Sequence, residues 1–209
     1  MKKYIFLAMG GICLLIIGFG VGVLINGHVD SFDTDQSVSQ VVSGDASSWK
    51  TVEKNDFSLM FPVGWEEGNA PMGVSALYVN TQDEPNDPEA QRINFQSYLS
   101  VILDTFNGMP LADYMELLKT NFTSSVSDMT AIDEDYMTIG GRDSMYHVAA
   151  FEQRNIRFVA LFFVISGENN ESWVLTFNTT EDTWTEYKDT FFAIANTFHV
   201  EVREEGTTP

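Results

Sequence analysis

Behind residue 48 the apolar positions of this chain mostly recur with a period of two, the mark of strands, and twice they shift to the roughly 3.6-residue period of a helix. The first strand signal is residues 49–54, where Trp49, Thr51 and Glu53 fall on one side and Lys50, Val52 and Lys54 on the other. Asn55-Asp56 turns that run into Phe57–Phe61, which ends at Pro62, so the spacing predicts a hairpin. Residues 74–79 make a third strand. Residues 80–89 hold two prolines and four carboxylates, a composition that excludes a central strand or a helix interior and predicts a loop. Residues 92–103 alternate, with Ile93, Phe95, Leu99, Val101 and Leu103 opposite Asn94, Gln96, Tyr98 and Ser100, as a half-exposed antiparallel strand does.

The first helical stripe starts at Pro110 and is carried by Leu111, Tyr114, Met115, Leu118 and Phe122. A more polar strand over 129–139 closes on Gly140-Gly141. Strands over 144–151, 156–165 and 172–178 follow, separated by turns at 153–155 and 167–170. Residues 156–165 are apolar on both faces apart from Arg157, which predicts a central strand with a layer on either side. Thr179 or Thr180 is the expected cap of the second helix, with Glu181 and Asp182 in its first turn. Its stripe is Trp184, Tyr187, Phe191, Ala195 and Phe198, and an edge strand is expected over 199–203. The fold class is therefore α+β, an α/β/α sandwich on a central, mainly antiparallel sheet, with Leu111, Leu118, Phe158, Phe162, Trp184 and Phe191 in its core.

Ahead of this pattern, residues 4–26 carry no charged side chain and follow Lys2 and Lys3. A helix of that length reaches the roughly 30 Å of a bilayer's hydrocarbon core, so the stretch is read as one membrane span. Signal-peptide cores run about 7–15 residues, and this one continues past that. Cys13 follows Ile12 rather than the small residue a lipid-attachment site needs, so it is read as an apolar membrane residue. The lysines in front orient the N-terminus to the cytoplasm and the rest outside. The expected organisation is an anchor over 1–27, a polar tether over 28–48, one domain over 49–203 and a tail over 204–209.

Charge narrows the function classes. Past the span the thirty carboxylates face nine cations, a balance of −21 that repels nucleic acid and excludes it as a partner. No cysteine lies there, so neither disulfides nor a thiol metal site are expected. The histidines, His28, His147 and His199, lie near no nucleophile elbow and have no metal-type spacing, and no P-loop or dinucleotide pattern is present. Tyr98 and Tyr146 are candidates to line a cleft. The best candidate site is the acidic loop with Asp83, Glu84, Asp87 and Glu89, since hard cations such as Ca²⁺ want several carboxylate and carbonyl oxygens. It lacks the spacing and turn glycine of an EF-hand, and a solvated loop is the plainer reading. Asp133-Glu134-Asp135 forms a second acidic cluster with the same plain reading.

The wording at the joints of these elements, Phe57-Ser58-Leu59-Met60-Phe61-Pro62-Val63-Gly64-Trp65, Leu111-Ala112-Asp113-Tyr114, Thr138-Ile139-Gly140-Gly141 and the block from Trp173-Val174-Leu175-Thr176-Phe177 to Phe198, resembles PsbP-like domains. The resemblance covers about residues 49–203. It implies an antiparallel sheet between helices, in a family whose plant members are extrinsic photosystem II subunits and which includes a eukaryotic Ran-binding protein and prokaryotic envelope proteins. No functional residue is carried over from it. The leading expectation is a non-enzymatic, membrane-tethered extracytoplasmic module that binds an envelope protein or complex, with no cofactor. The alternatives are a carboxylate-based hydrolase of the envelope and a Ca²⁺-binding envelope protein.

Overall fold

The computed structural model describes residues 49–201, so the expected span, the tether and the tail lie outside the described residues. Among the described residues no helix is long and apolar enough to cross a membrane.

The N-terminal hairpin forms as its spacing predicts. Strands β1 (Lys50–Glu53) and β2 (Phe57–Phe61) pair antiparallel with Lys50 opposite Phe61, and the Lys54 N–H closes the turn on the Phe57 carbonyl at 2.8 Å. This hairpin is not part of the main sheet. It makes a three-stranded sheet of its own with β10 (His199–Val200) on the free edge of β2. The main sheet has seven strands, each antiparallel to its neighbours. In spatial order they are β3 (Trp65–Glu67), β4 (Ala76–Asn80), β5 (Tyr98–Thr105), β9 (Glu171–Thr180), β8 (Ile156–Ser166), β7 (Arg142–Gln153) and β6 (Ser127–Ile139). Gly140-Gly141 and Arg154-Asn155 join β6 to β7 and β7 to β8, and all four residues have φ between +54° and +77°. Two-residue loops of that hand match the twist of the strands. At Gly140 a Cβ would stand 2.7 Å from the Phe198 carbonyl oxygen, so glycine is required there for space as well as for φ.

Helix α2 (Leu111–Thr123) packs on one face of the main sheet and α3 (Trp184–Asn196) on the other, while the short α1 (Pro88–Arg92) lies in the acidic loop. Strand β8 shows why the sheet needs both covers. Phe158, Ala160, Phe162 and Val164 meet Met115, Leu118 and Phe122 of α2, while Val159, Leu161, Phe163 and Ile165 face Phe191 and Ile194 of α3 together with Phe57, Leu59 and Phe61 of the small sheet. Aromatic pairs tie the layers, with Phe122 and Phe162 at 4.9 Å and Phe177 and Phe191 at 4.8 Å between centroids.

Three expectations are corrected, and one strand, β3, is unanticipated because it is too short for its period to show. The run expected to be one strand over 92–103 splits into the end of α1, a bend and β5, and β5 is buried on both faces instead of one. The cap of α3 is Thr183 rather than Thr179 or Thr180, because those two residues still belong to β9. Leu111 and Trp184 are half-buried at the margin of the cores, whereas Leu118, Phe158, Phe162 and Phe191 are buried.

Candidate binding surface

The carboxylates of the acidic loop have separate jobs. Asp83 is buried, and its Oδ2 accepts from the Ser97 N–H at 2.5 Å and from the Ser97 hydroxyl at 2.6 Å. Ser97 Oγ lies 2.7 Å from Thr179 Oγ1, which lies 2.6 Å from Thr183 Oγ1, so a line of buried hydroxyls runs from the loop to the start of α3. This explains why Thr183 does not cap α3 with its side chain: its hydroxyl is already bound to β9. Burial, and then the nearby Asp83 charge, push the Tyr187 hydroxyl pKa well above its ordinary value. Asp83 Oδ1 itself has no partner of full hydrogen-bond geometry. Asp87 caps α1, accepting from the N–H groups of Glu89 and Ala90 at 2.8 and 2.9 Å. Glu89 pairs with Arg92 at 2.6 Å, and Glu84 is exposed. Among the described residues no three His, Cys, Asp or Glu side chains gather so as to hold a metal ion. The loop thus places the four carboxylates in four different environments.

The candidate aromatics are mostly structural. Tyr98 is buried, its hydroxyl accepts from Asn178 Nδ2 at 2.9 Å, and burial pushes its pKa up to about 12. Tyr146 is half-buried, packs on Phe192 and donates its hydroxyl to Asp133 Oδ2 at 3.0 Å. His199 is exposed on β10, and His28 lies outside the described residues. His147 is the exception among the titratable groups. It is 1 % exposed, lies over Phe162, and has Nδ1 2.8 Å from Glu134 Oε2, with no in-line hydrogen-bond partner for either ring nitrogen. Burial lowers its pKa, Glu134 opposes that shift, and Lys119 adds to it. Lys119 in turn bridges Glu134 at 2.9 Å and Glu116 at 2.6 Å, fastening α2 to β6.

That leaves β6 as the most open element. It is the outer strand of the sheet and almost every residue of it is exposed, including Ile132 at 50 % and Tyr136 at 62 %. Two irregularities in its pairing with β7, between Ser127 and Thr130 and between Ala131 and Asp133, bend its first half. Along the straight half, Asp133 Oδ1 accepts from the Glu134 N–H at 2.9 Å and Asp135 Oδ1 from the Tyr136 N–H at 2.8 Å. The cluster at 133–135 is therefore more than a solvated run: its aspartates cover backbone donors of the sheet edge. Aspartates at alternate positions of an outer strand were the available signal in the sequence, and it shows its meaning only once β6 is known to be an edge.

Known proteins share this architecture. No family model matches the chain, and none of the curated proteins does. Among solved structures, LpqN of Mycobacterium tuberculosis, described as involved in cell envelope biogenesis, superposes with a TM-score of 0.55 at 14% identity, over 74% of this chain and 91% of its own. The Ran-binding protein Mog1p of Saccharomyces cerevisiae gives 0.53 at 14%, over 73% and 95%. The cyanobacterial PsbP of Synechocystis sp. PCC 6803 gives 0.52 at 18%, over 78% and 98%. At such identities the likeness is one of fold.

Proposed function

We propose that this chain, whose described residues have the fold of PsbP and Mog1, is a non-enzymatic accessory module that binds a protein partner at the cell envelope. Residues 4–26 would anchor it, residues 28–48 would hold the domain off the bilayer, and the domain would stand on the extracytoplasmic side. The observation that carries the reading is β6: a long, exposed outer strand with large apolar side chains turned to solvent is a surface for a macromolecule rather than a pocket for a small substrate. The neighbours support it in kind, since Mog1p is described as Ran-binding and LpqN as involved in cell envelope biogenesis. Within the acidic loop, Asp83 is held by Ser97 and Asp87 by the start of α1, so neither is free to serve a hydrolase.

The test is recovery of the full-length protein from membranes of its own cells after mild crosslinking, with the amount of co-purifying protein measured against the bait. A partner at comparable molar amount is expected. A chain recovered alone and monomeric, with catalytic turnover of a small substrate, would replace this reading with the enzyme.

A further inference from the structure

The geometry points to the outer edge of β6, residues 132–138, as the docking edge for an extended partner segment in which Lys or Arg alternates with apolar residues. This rests on the binding-module reading and specifies its surface and its partner chemistry. Among the strands β6 pairs with β7 alone. The two-residue turn at Gly140-Gly141 makes Ile139 and Arg142 a hydrogen-bonded pair, so alternation directs the backbone groups of 137, 135 and 133 to β7 and those of 138, 136 and 134 away from it. The bonds from the Glu134 and Tyr136 N–H groups to aspartate side chains agree with that direction.

An acidic, self-covered edge is also how proteins keep edges from aggregating. A purely protective edge has no use for Tyr136 and Ile132, which are more than half or half exposed on this same strand. Charge decides which strand can add. A second copy of this acidic chain, or any neutral strand, would have to bury Asp133 and Asp135 with no cation supplied to either, since Lys119 pairs with Glu134 and not with them. A basic strand instead draws the Asp133 and Asp135 carboxylates onto its own side chains, frees the two N–H groups to donate to its carbonyls, and lays its apolar positions on Tyr136 and Ile132. Of the cations on neighbouring elements, Lys119 is already bound to Glu116 and Glu134, so it does not neutralise the aspartates.

The probe is a seven-residue labelled peptide of alternating Lys and Val, compared with one of identical composition in scrambled order and with an alternating Glu and Val peptide, each titrated into the full-length protein in detergent. The alternating basic peptide should bind at least about tenfold tighter than the scrambled one, the acidic peptide should not bind, and amide exchange should slow at Glu134, Tyr136 and Thr138. Asp133→Asn with Asp135→Asn, which keeps side-chain acceptors for the two N–H groups but removes the charge, should weaken binding about tenfold or more while the melting curve stays cooperative. Equal binding of the alternating and scrambled peptides, or protection away from β6, overturns the proposal. In cells, p-benzoylphenylalanine replacing Tyr136 should crosslink a partner in a way the basic peptide suppresses. A crosslink only from position 72, in the exposed loop at Met72, overturns this edge and leaves the binding-module reading standing; none from either, with no co-purifying partner, overturns both.

Discussion

Replacing Asp83 by Asn separates a structural carboxylate from a cation ligand by the sign of its effect. If Asp83 serves a cation, metal-free protein carries needless repulsion in the acidic loop, and the neutral side chain should stabilise it. The structure gives the opposite expectation, because Oδ2 is the acceptor for both the N–H and the hydroxyl of Ser97 in a buried site. Hydrogen bonds to a charged group contribute about 1.5–3 kcal/mol and neutral ones about 0.5–1.5 kcal/mol. Asn keeps an acceptor oxygen in place, so each bond loses roughly 1–1.5 kcal/mol and the pair about 2–3 kcal/mol. For a domain of roughly 150 residues that is a fall in Tm of about 4–12 °C. The exposed Glu84→Gln variant is the control, with a change within about 0.5 kcal/mol. Urea unfolding of both variants in chelator measures the difference. An Asp83→Asn protein as stable as the parent, or more stable, refutes the structural assignment.

Phe162→Ala empties a buried ring site against Phe122 and should cost about 3–5 kcal/mol in the same unfolding assay, whereas Met72→Ala on the surface should be neutral. Burial depresses the His147 pKa, so the unfolded chain takes up a proton at about pH 6.5 while the folded one does not until lower pH. The stability this contributes is complete above about 6.5 and is lost as pH falls from there through the folded pKa. The loss should be shallower in His147→Gln, with Glu134, Lys119 and Glu116 unchanged around it. Because −21 past the expected span repels itself, Tm should rise with NaCl over the range in which the screening length shrinks to about 8–10 Å. A further increment from Ca²⁺ at matched ionic strength should be small, since Asp83, Asp87 and Glu89 are already engaged, and a large saturating one would restore the cation site.

What could be read from the sequence was whatever repeats. Strand β8, the α2 stripe from Tyr114 to Phe122 and the Gly140-Gly141 turn announce themselves because a covered face or a required φ constrains several residues at once. Strand β3 escapes because three residues show no period, and the half-exposed expectation for β5 fails because Tyr98 and Ser100 are polar in type but buried. Tyr98 is nonetheless buried on the strength of its bond to Asn178. The candidate site was legible as a concentration of carboxylates and illegible in function, since what Asp83 does depends on Ser97, fourteen residues on, and on Thr179 across the sheet. No local pattern holds such a pairing. The hairpin over 50–61 shows the same division, with its turn and register given by adjacent residues and its membership of a separate sheet given by β10, at the far end of the described residues.

The two edges of the main sheet solve one problem by different means. β3 is three residues long, and its Trp65 ring lies against Phe61 and Phe191 on the side of the small sheet, so it offers a neighbouring strand little to pair with. β6 is the longer by ten residues, and what keeps it unpaired is charge and the aspartate bonds to its own N–H groups. Brevity cannot be undone by a ligand. Carboxylates can, because a cation within reach competes with a surface N–H for the same oxygen and wins at short range. An edge closed in this way disfavours a second acidic copy of the chain and, on the proposal above, still admits a basic segment. Closing β6 by charge rather than by length opposes pairing with another acidic copy without closing the surface to a basic partner.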